Sequence, residues 1–219
     1  VSGGLGLANT LVPPPPFADA ALKVFAVHID RTPKQGWPGF GIYLGNGYVL
    51  TASHVIGRAA ETRPHVVIDG QVLQTTVVRE GKFEQDDLTL LRVDDTPLPM
   101  LLRLRHVTLC DTIPPLRSGV IVVTPEATAR SVLARPLALG PALLNRFPTL
   151  IADVATTGNS GSGVFDARTQ CLLGIMSRKL SIISQRTENG KSVPETRDVA
   201  KYFVSSDIIR EALPPDVKF

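Results

Sequence analysis

The sequence predicts an all-β protein, a barrel or a sandwich. Nine short runs are either β-branched or alternate between apolar and polar residues. Clusters of Gly, Pro, Asn and Asp bound them, and helical periodicity is absent until the last residues. Many short strands separated by turn signals are the pattern of antiparallel all-β architectures.

Each element has its own reason. The opening "VSGGLGLANTLVPPPPF" reads as a loosely packed spacer, because its glycines are flexible and Pro13 to Pro16 favour extended polyproline II. Strand runs follow in "LKVFAVHID", "GFGIYLG" and "YVLTASHVI", the last two joined by the hairpin turn "GNGY" at Gly45 to Tyr48. "HVVIDGQVLQTTVVRE" and "LTLLRV" continue the pattern, and "TPLPM" then breaks it, placing a boundary near Leu98 to His106. "GVIVVT", "LIADVA", "SGVFDA" and "CLLGIMS" form a second set. Near the end, "SSDIIREALPP" reads as a helix, with Ser205 or Ser206 to cap it, Asp207 in the first turn and Pro214 to stop it. No repeat of fixed period is evident.

Composition narrows the function classes. The chain has 219 residues, 43% hydrophobic and 20% charged, enough for one large domain or two small ones. The net charge is +3, and Lys and Arg are dispersed without aromatic interleaving, so the nucleic-acid footprint is weak. No apolar run approaches the ~20 residues needed to span a membrane. Cys110 and Cys171 are too few for a disulfide framework; two buried thiols are expected, with a single bridge as the alternative.

The chemistry centres on "TTGNSGSGVF", Thr156 to Phe165. A phosphate loop would need a Lys and a following helix, whereas "VFDARTQCLLGIMS" reads as a hairpin. A linker would not sit between two tight strand patterns. A nucleophilic serine needs a sharp turn, small neighbours and backbone N–H groups aimed at the oxyanion. It also needs a base held by a carboxylate. Of the four histidines, His28, His65 and His106 lie in strand or polar surroundings that suit structural roles. His54 ends a strand behind the small residues Ala52 and Ser53, which leave room for an imidazole to cross a cleft. In "EQDDLTLLRV", Asp87 directly precedes an apolar run, where burying an acid is costly unless it serves as a hydrogen-bond acceptor. Asp86 suits a turn.

"TASHV", "DDLTLLRV" and "GNSGSGVF" occur in the order His, Asp, Ser, and this resembles the trypsin-like serine proteases of the chymotrypsin fold. The similarity is closest to the bacterial Deg-type (high-temperature-requirement) branch, whose glycine-rich strand, hairpin and histidine strand "GFGIYLGNGYVLTASHVI" resembles. "YFVSSDII" is similar to that branch's final strand and helix. The resemblance covers roughly residues 20 to 213.

It implies two six-stranded antiparallel β-barrels and a short C-terminal helix. Residues 1–19 would be the Pro-rich arm, 20–102 the first barrel with His54 and Asp87, and 103–219 the second barrel with Ser160 and the helix. Ser160 would be the nucleophile, His54 the general base and acid, and Asp87 the residue that orients the imidazole. Gly158, Asn159 and Ser160 would form the oxyanion hole, which fixes Ser160 rather than Ser162, since Gly158 then lies two residues before the nucleophile. Ser162 and Gly163 depart from the family's usual Gly and Pro. The first specificity pocket would be lined by Val154, Ala155, Thr156 and Thr157 and by Met176, Ser177, Arg178 and Lys179. An apolar base there favours cleavage after Val, Ala, Leu or Thr, unless Asp153 enters the pocket. Asn159 stands where digestive relatives have Asp, so activation by a new N-terminus is not expected. Protein or peptide substrates are implied, with no cofactor, no metal and no nucleic acid, and no PDZ domain is expected after Leu213. The alternative is a catalytically silent binding or adaptor protein on the same fold. Export to the periplasm or secretion is the expected localisation, the cytoplasm the alternative.

Overall fold

The computed structural model describes residues 16–30, 39–152 and 160–219. Their strands form two six-stranded antiparallel sheets. The first contains β1 (Ala26–Asp30), β2 (Gly39–Gly45), β3 (Tyr48–Ala52), β4 (His65–Ile68), β5 (Gln71–Arg79) and β6 (Leu88–Val93). It closes into a barrel in the order β1-β2-β3-β6-β5-β4. Two of its hairpins rest on adjacent residues with positive φ, Asn46 and Gly47 (53° and 76°) and Asp69 and Gly70 (49° and 72°). That backbone twist matches the twist of the flanking strands, which is why Asn-Gly and Asp-Gly occupy these turns.

The second sheet contains β7 (Gly119–Val123), β8 (Thr128–Val132), β9 (Leu150–Ala152), β10 (Gly163–Asp166), β11 (Leu172–Glu188) and β12 (Lys191–Ser205), in the order β8-β7-β10-β11-β12-β9. An isolated bridge between Leu133 and Ile151 draws its two edges together. Two features of this sheet depart from the sequence expectation. The segment Thr128–Val132 is a strand although its residues are small and polar, and only Ser131 is buried. "CLLGIMS" is only the start of β11, which runs on with β12 as a long hairpin whose outer residues are mostly exposed.

Three apolar clusters hold this together. Val27, Ile29, Tyr43, Val49, Val66 and Leu91 fill the first barrel. Val120, Val122, Leu133, Val164, Leu173 and Phe203 pack inside the second sheet. The third cluster lies between the sheets, joining Ile42, Leu44, Leu50, Leu88 and Leu90 to Ile121, Phe165, Leu172 and Ile175. β2 therefore buries both its faces, which explains its unbroken burial.

The thiol expectation is corrected: Cys110 and Cys171 form a disulfide. Leu109 pairs with Leu172 in a parallel bridge and the Cys110 N–H donates to Leu172 O, which brings the two cysteine Cα atoms to 5.1 Å. Of the expected arm, residues 1–15 lie outside the described ones. The chain continues as a helix, Pro16–Ala21, in which buried Asp19 takes two hydrogen bonds from Arg130, at 2.7 and 2.8 Å. The C-terminal helix, Ser206–Ala212, forms where expected. Neither serine caps it through its side chain; Ser206 Oγ instead donates to Cys110 O at 2.8 Å, fastening the helix beside the disulfide.

Candidate active site

The site lies where the two sheets meet. β3 ends at Ala52 and turns directly into the one-turn helix Ser53–Ile56, which carries His54. Ala52 is fully buried and Ser53 nearly so, and small side chains at these positions let the turn sit close to the neighbouring strand. Ser53 N–H donates to Asp87 O at 3.1 Å, and the Ser53 hydroxyl lies 3.0 Å from that of Thr89. The histidine turn is thereby fastened to the head of β6.

Asp87 precedes β6 in the left-handed region, with φ of 50°, a conformation that Asp tolerates better than most residues. Asp87 is buried, yet well provided with donors. His54 N–H donates to Oδ1 at 3.1 Å, His54 Nδ1 lies 2.9 Å from Oδ2, and Ser177 Oγ donates to Oδ2 at 2.5 Å. A buried carboxylate needs such hydrogen-bond partners. With Nδ1–H donating to Asp87, Nε2 faces the cleft as an acceptor.

Ser160 stands at that position. Its Oγ is 2.6 Å from His54 Nε2 and 3.1 Å from Ser177 O, so its single proton has two acceptors, the imidazole being the nearer. Gly161 makes the turn, with φ of 88°. A Cβ there would lie 1.8 Å from Phe40 O, so the chain can pass β2 at this distance only as glycine. Ser162, the other serine of the motif, is fully buried, and its carbonyl accepts from Met176 N–H.

The structure thus brings His54, Asp87 and Ser160 together. Asp153, Val154, Ala155, Thr156, Thr157, Gly158 and Asn159 lie outside the described residues. Of the expected pocket strand, Met176 is buried in the core of the second sheet, and the Ser177 hydroxyl is committed to Asp87. Lys179 turns to the surface, where it pairs with Asp198 at 2.7 Å. Arg178 lies over the Phe83 ring, its guanidinium carbon 3.8 Å from the centroid, and Phe83 meets His54 edge-on with centroids 5.1 Å apart. Asp86 pairs with Arg79. The other histidines are elsewhere: His28 pairs with Glu126 and His106 lies against Phe219. Sequence reading missed Ser177 as a donor to the acid, and Phe83 altogether. Ser177 carries no sequence signal of its own, whereas an aromatic four residues before the acid could have been noted.

Among the described residues no group of three or more His, Cys, Asp or Glu could hold a metal ion. No described helix is long and apolar enough to cross a membrane.

Residues 39–175 match the trypsin-like peptidase domain family. No curated protein matches the sequence. Solved structures do match in fold. The Rv3671c protease from M. tuberculosis in its active form is 15% identical, with 97% of this chain and 92% of that chain covered and a TM-score of 0.58. Kallikrein-related peptidase 10 in complex with Zn2+ is 17% identical, with 86% and 93% covered and a TM-score of 0.61. The matched region spans both halves of the site, including His54, Asp87 and Ser160, and the chain belongs to the trypsin-like peptidase family, as a serine protease hydrolase of the chymotrypsin fold.

Proposed function

We propose that this chain is a serine endopeptidase that works through a Ser160–His54–Asp87 triad and an acyl-enzyme. The observation that carries the reading is the continuous line of contacts from Ser160 Oγ to His54 Nε2 (2.6 Å) and from His54 Nδ1 to Asp87 Oδ2 (2.9 Å). His54 Nε2 takes the Ser160 proton as Oγ attacks the scissile carbonyl, and Asp87 stabilises the imidazolium that forms. The same Nε2 proton goes to the leaving amine as the C–N bond breaks. Water then attacks the Ser160 ester by the reverse sequence, releasing the acid and restoring the hydroxyl. The oxyanion would be held by backbone N–H groups of Gly158 and Ser160, with Asn159 between them.

The acyl half of the substrate needs a docking edge, and β11 offers one. β10 pairs with β11 as far as Ile175, and Met176 N–H reaches Ser162 O. From Ser177 onward that edge has no strand beside it among the described residues, and an extended peptide could add to it. Cleavage after small or medium apolar residues is the specificity we infer, on the register that puts Val154 and Ala155 at the pocket base. The disulfide favours an oxidising compartment, hence export.

A fluorophosphonate probe tests the chemistry. Labelling of the wild type that vanishes in Ser160→Ala is the expected result. Absence of labelling would favour a silent scaffold. A peptide-library digest tests the pocket: dominant cutting after Lys or Arg, abolished in Asp153→Ala, would overturn the specificity while leaving the triad standing.

A further inference from the structure

Resting on the peptidase reading above, we propose that Arg178 is a specificity-determining residue that selects substrates with an acidic side chain two to four residues upstream of the scissile bond. Arg178 follows Ser177, whose carbonyl is 3.1 Å from the nucleophilic Oγ. The half of the substrate that stays bonded to Ser160 in the acyl-enzyme must continue along backbone near that oxygen, and β11 beyond Ser177, paired with β12 on one side, has no strand on its other side among the described residues. Side chains of that half therefore pass over Arg178.

The guanidinium is held in place with only part of its donor fork engaged. It sits 3.8 Å from the centre of Phe83 and 5.3 Å from the centre of Phe147, between two rings that strip water from its faces. One amino group donates to Phe83 O, and Nε lies at the long distance of 3.4 Å from Ser177 Oγ. Guanidinium has five N–H donors, so most of its fork remains to be used. No described carboxylate pairs with it, whereas its neighbour Lys179 is paired with Asp198. Arg146 stacks on the other ring, 5.2 Å from the Phe147 centroid, and adds a second positive charge. Its own partner, Glu84, is 3.9 Å away with both side chains more than half exposed, an ion pair of little strength. The result is a basic, aromatic ledge reaching from Phe147 to Phe83, which touches the general base. A planar fork with preset orientation suits a carboxylate far better than an amide or an ammonium.

Matched peptides carrying Glu or Gln at the second, third or fourth upstream residue provide the test. Wild-type kcat/KM should be about tenfold higher for Glu at one of these positions, as for a partly exposed charge-assisted hydrogen bond. High salt should shrink that ratio. In Arg178→Gln the ratio should fall to about one, and in Arg178→Glu it should invert and favour Gln. Fluorophosphonate labelling of the same preparations separates the two claims. An unlabelled wild type refutes the peptidase reading. A labelled wild type with a Glu/Gln ratio near one at all three positions refutes the acidic subsite alone, as does a preference that survives Arg178→Glu.

Discussion

Replacing Gly161 by Ala should disable catalysis through the backbone, without touching a side chain of the triad. The added Cβ would lie 1.8 Å from Phe40 O, 2.6 Å from Phe40 C and 3.0 Å from Thr51 Oγ1. Those are fixed groups: Phe40 N–H donates to Ser160 O at 3.2 Å, and Phe40 O accepts from Thr51 Oγ1 at 2.7 Å. Ordinary contact requires a retreat of roughly 1.5 Å, and the movable element is the turn that carries Ser160. The φ of 88° adds strain of about 1–2 kcal/mol for any L-residue. A displacement of ~1 Å at a reacting atom costs about 10²-fold in rate. We expect kcat/KM to fall at least about a hundredfold, or ~2.7 kcal/mol in the barrier, with fluorophosphonate labelling slowed in parallel. Gly190→Ala is the control: its φ is 75°, yet nothing lies within 4 Å of its Cβ position. It should carry the strain cost in thermal unfolding and leave turnover intact. A Gly161→Ala protein with wild-type kcat/KM would refute the close-approach argument, and so would an equal loss of activity in Gly190→Ala.

Other perturbations have equally definite outcomes. Ser177→Ala removes a buried donor to Asp87 Oδ2 and should cost about 1–3 kcal/mol of stability, read as a lower Tm, together with a fall in kcat at unchanged KM; an unchanged kcat would mean that His54 alone holds the acid. Burial, and then the hydrogen bond to Asp95, push the Tyr43 phenol well above the usual tyrosine range. The folded state therefore keeps this proton where the unfolded chain, with a pKa of about 10, has begun to lose it, so stability should decline as pH rises past that value. Tyr43→Phe should lessen this alkaline decline in denaturant titrations between about pH 8 and 11, and a parallel decline in the variant would exclude Tyr43 as its source. Reduction of the Cys110–Cys171 disulfide, which spans 61 residues, should lower Tm by an amount equivalent to as much as about 4 kcal/mol; a Tm indifferent to reductant would show that the neighbouring β-bridge suffices.

Much of this was readable because local chemistry and global fold demanded the same residues. The Asn-Gly turn needed positive φ, and it stands where β2 and β3 close, whereas Asp69-Gly70 divides a run that reads as continuous in the sequence. Asp87 stood out from Asp86 because it abuts an apolar run, and the structure buries the first while Asp86 pairs with Arg79. Other features had no local signal. Thr128–Val132 is a strand because Gly119–Val123 offers it an edge, not because its residues prefer one. The hairpin beyond Leu180 is mostly exposed on both faces, so it lacks the alternation that betrays a strand. The disulfide depends on Leu109 and Leu172 meeting across the fold. The Ser177 hydroxyl meets Asp87, and Arg178 meets Phe83, only when these arrive from the first half of the chain.

That last dependence says why the site lies where it does. The bonds that assemble it are also bonds between the sheets: Ser177 Oγ to Asp87, Phe40 N–H to Ser160 O, and Ser160 Oγ to His54. Neither sheet can satisfy the site alone. Asp87 separated from Ser177 would be a charge short of a donor, and Ser160 separated from His54 would be an ordinary hydroxyl. The shared cluster of Leu88, Leu90, Ile42, Ile175 and Phe165 supplies the apolar burial that holds the sheets in register, and it starts one residue after the acid. Apolar burial is non-directional and tolerates small shifts, whereas the polar contacts do not. The core therefore brings the halves together, and the buried carboxylate, with donors from both, selects the one alignment in which base and nucleophile meet.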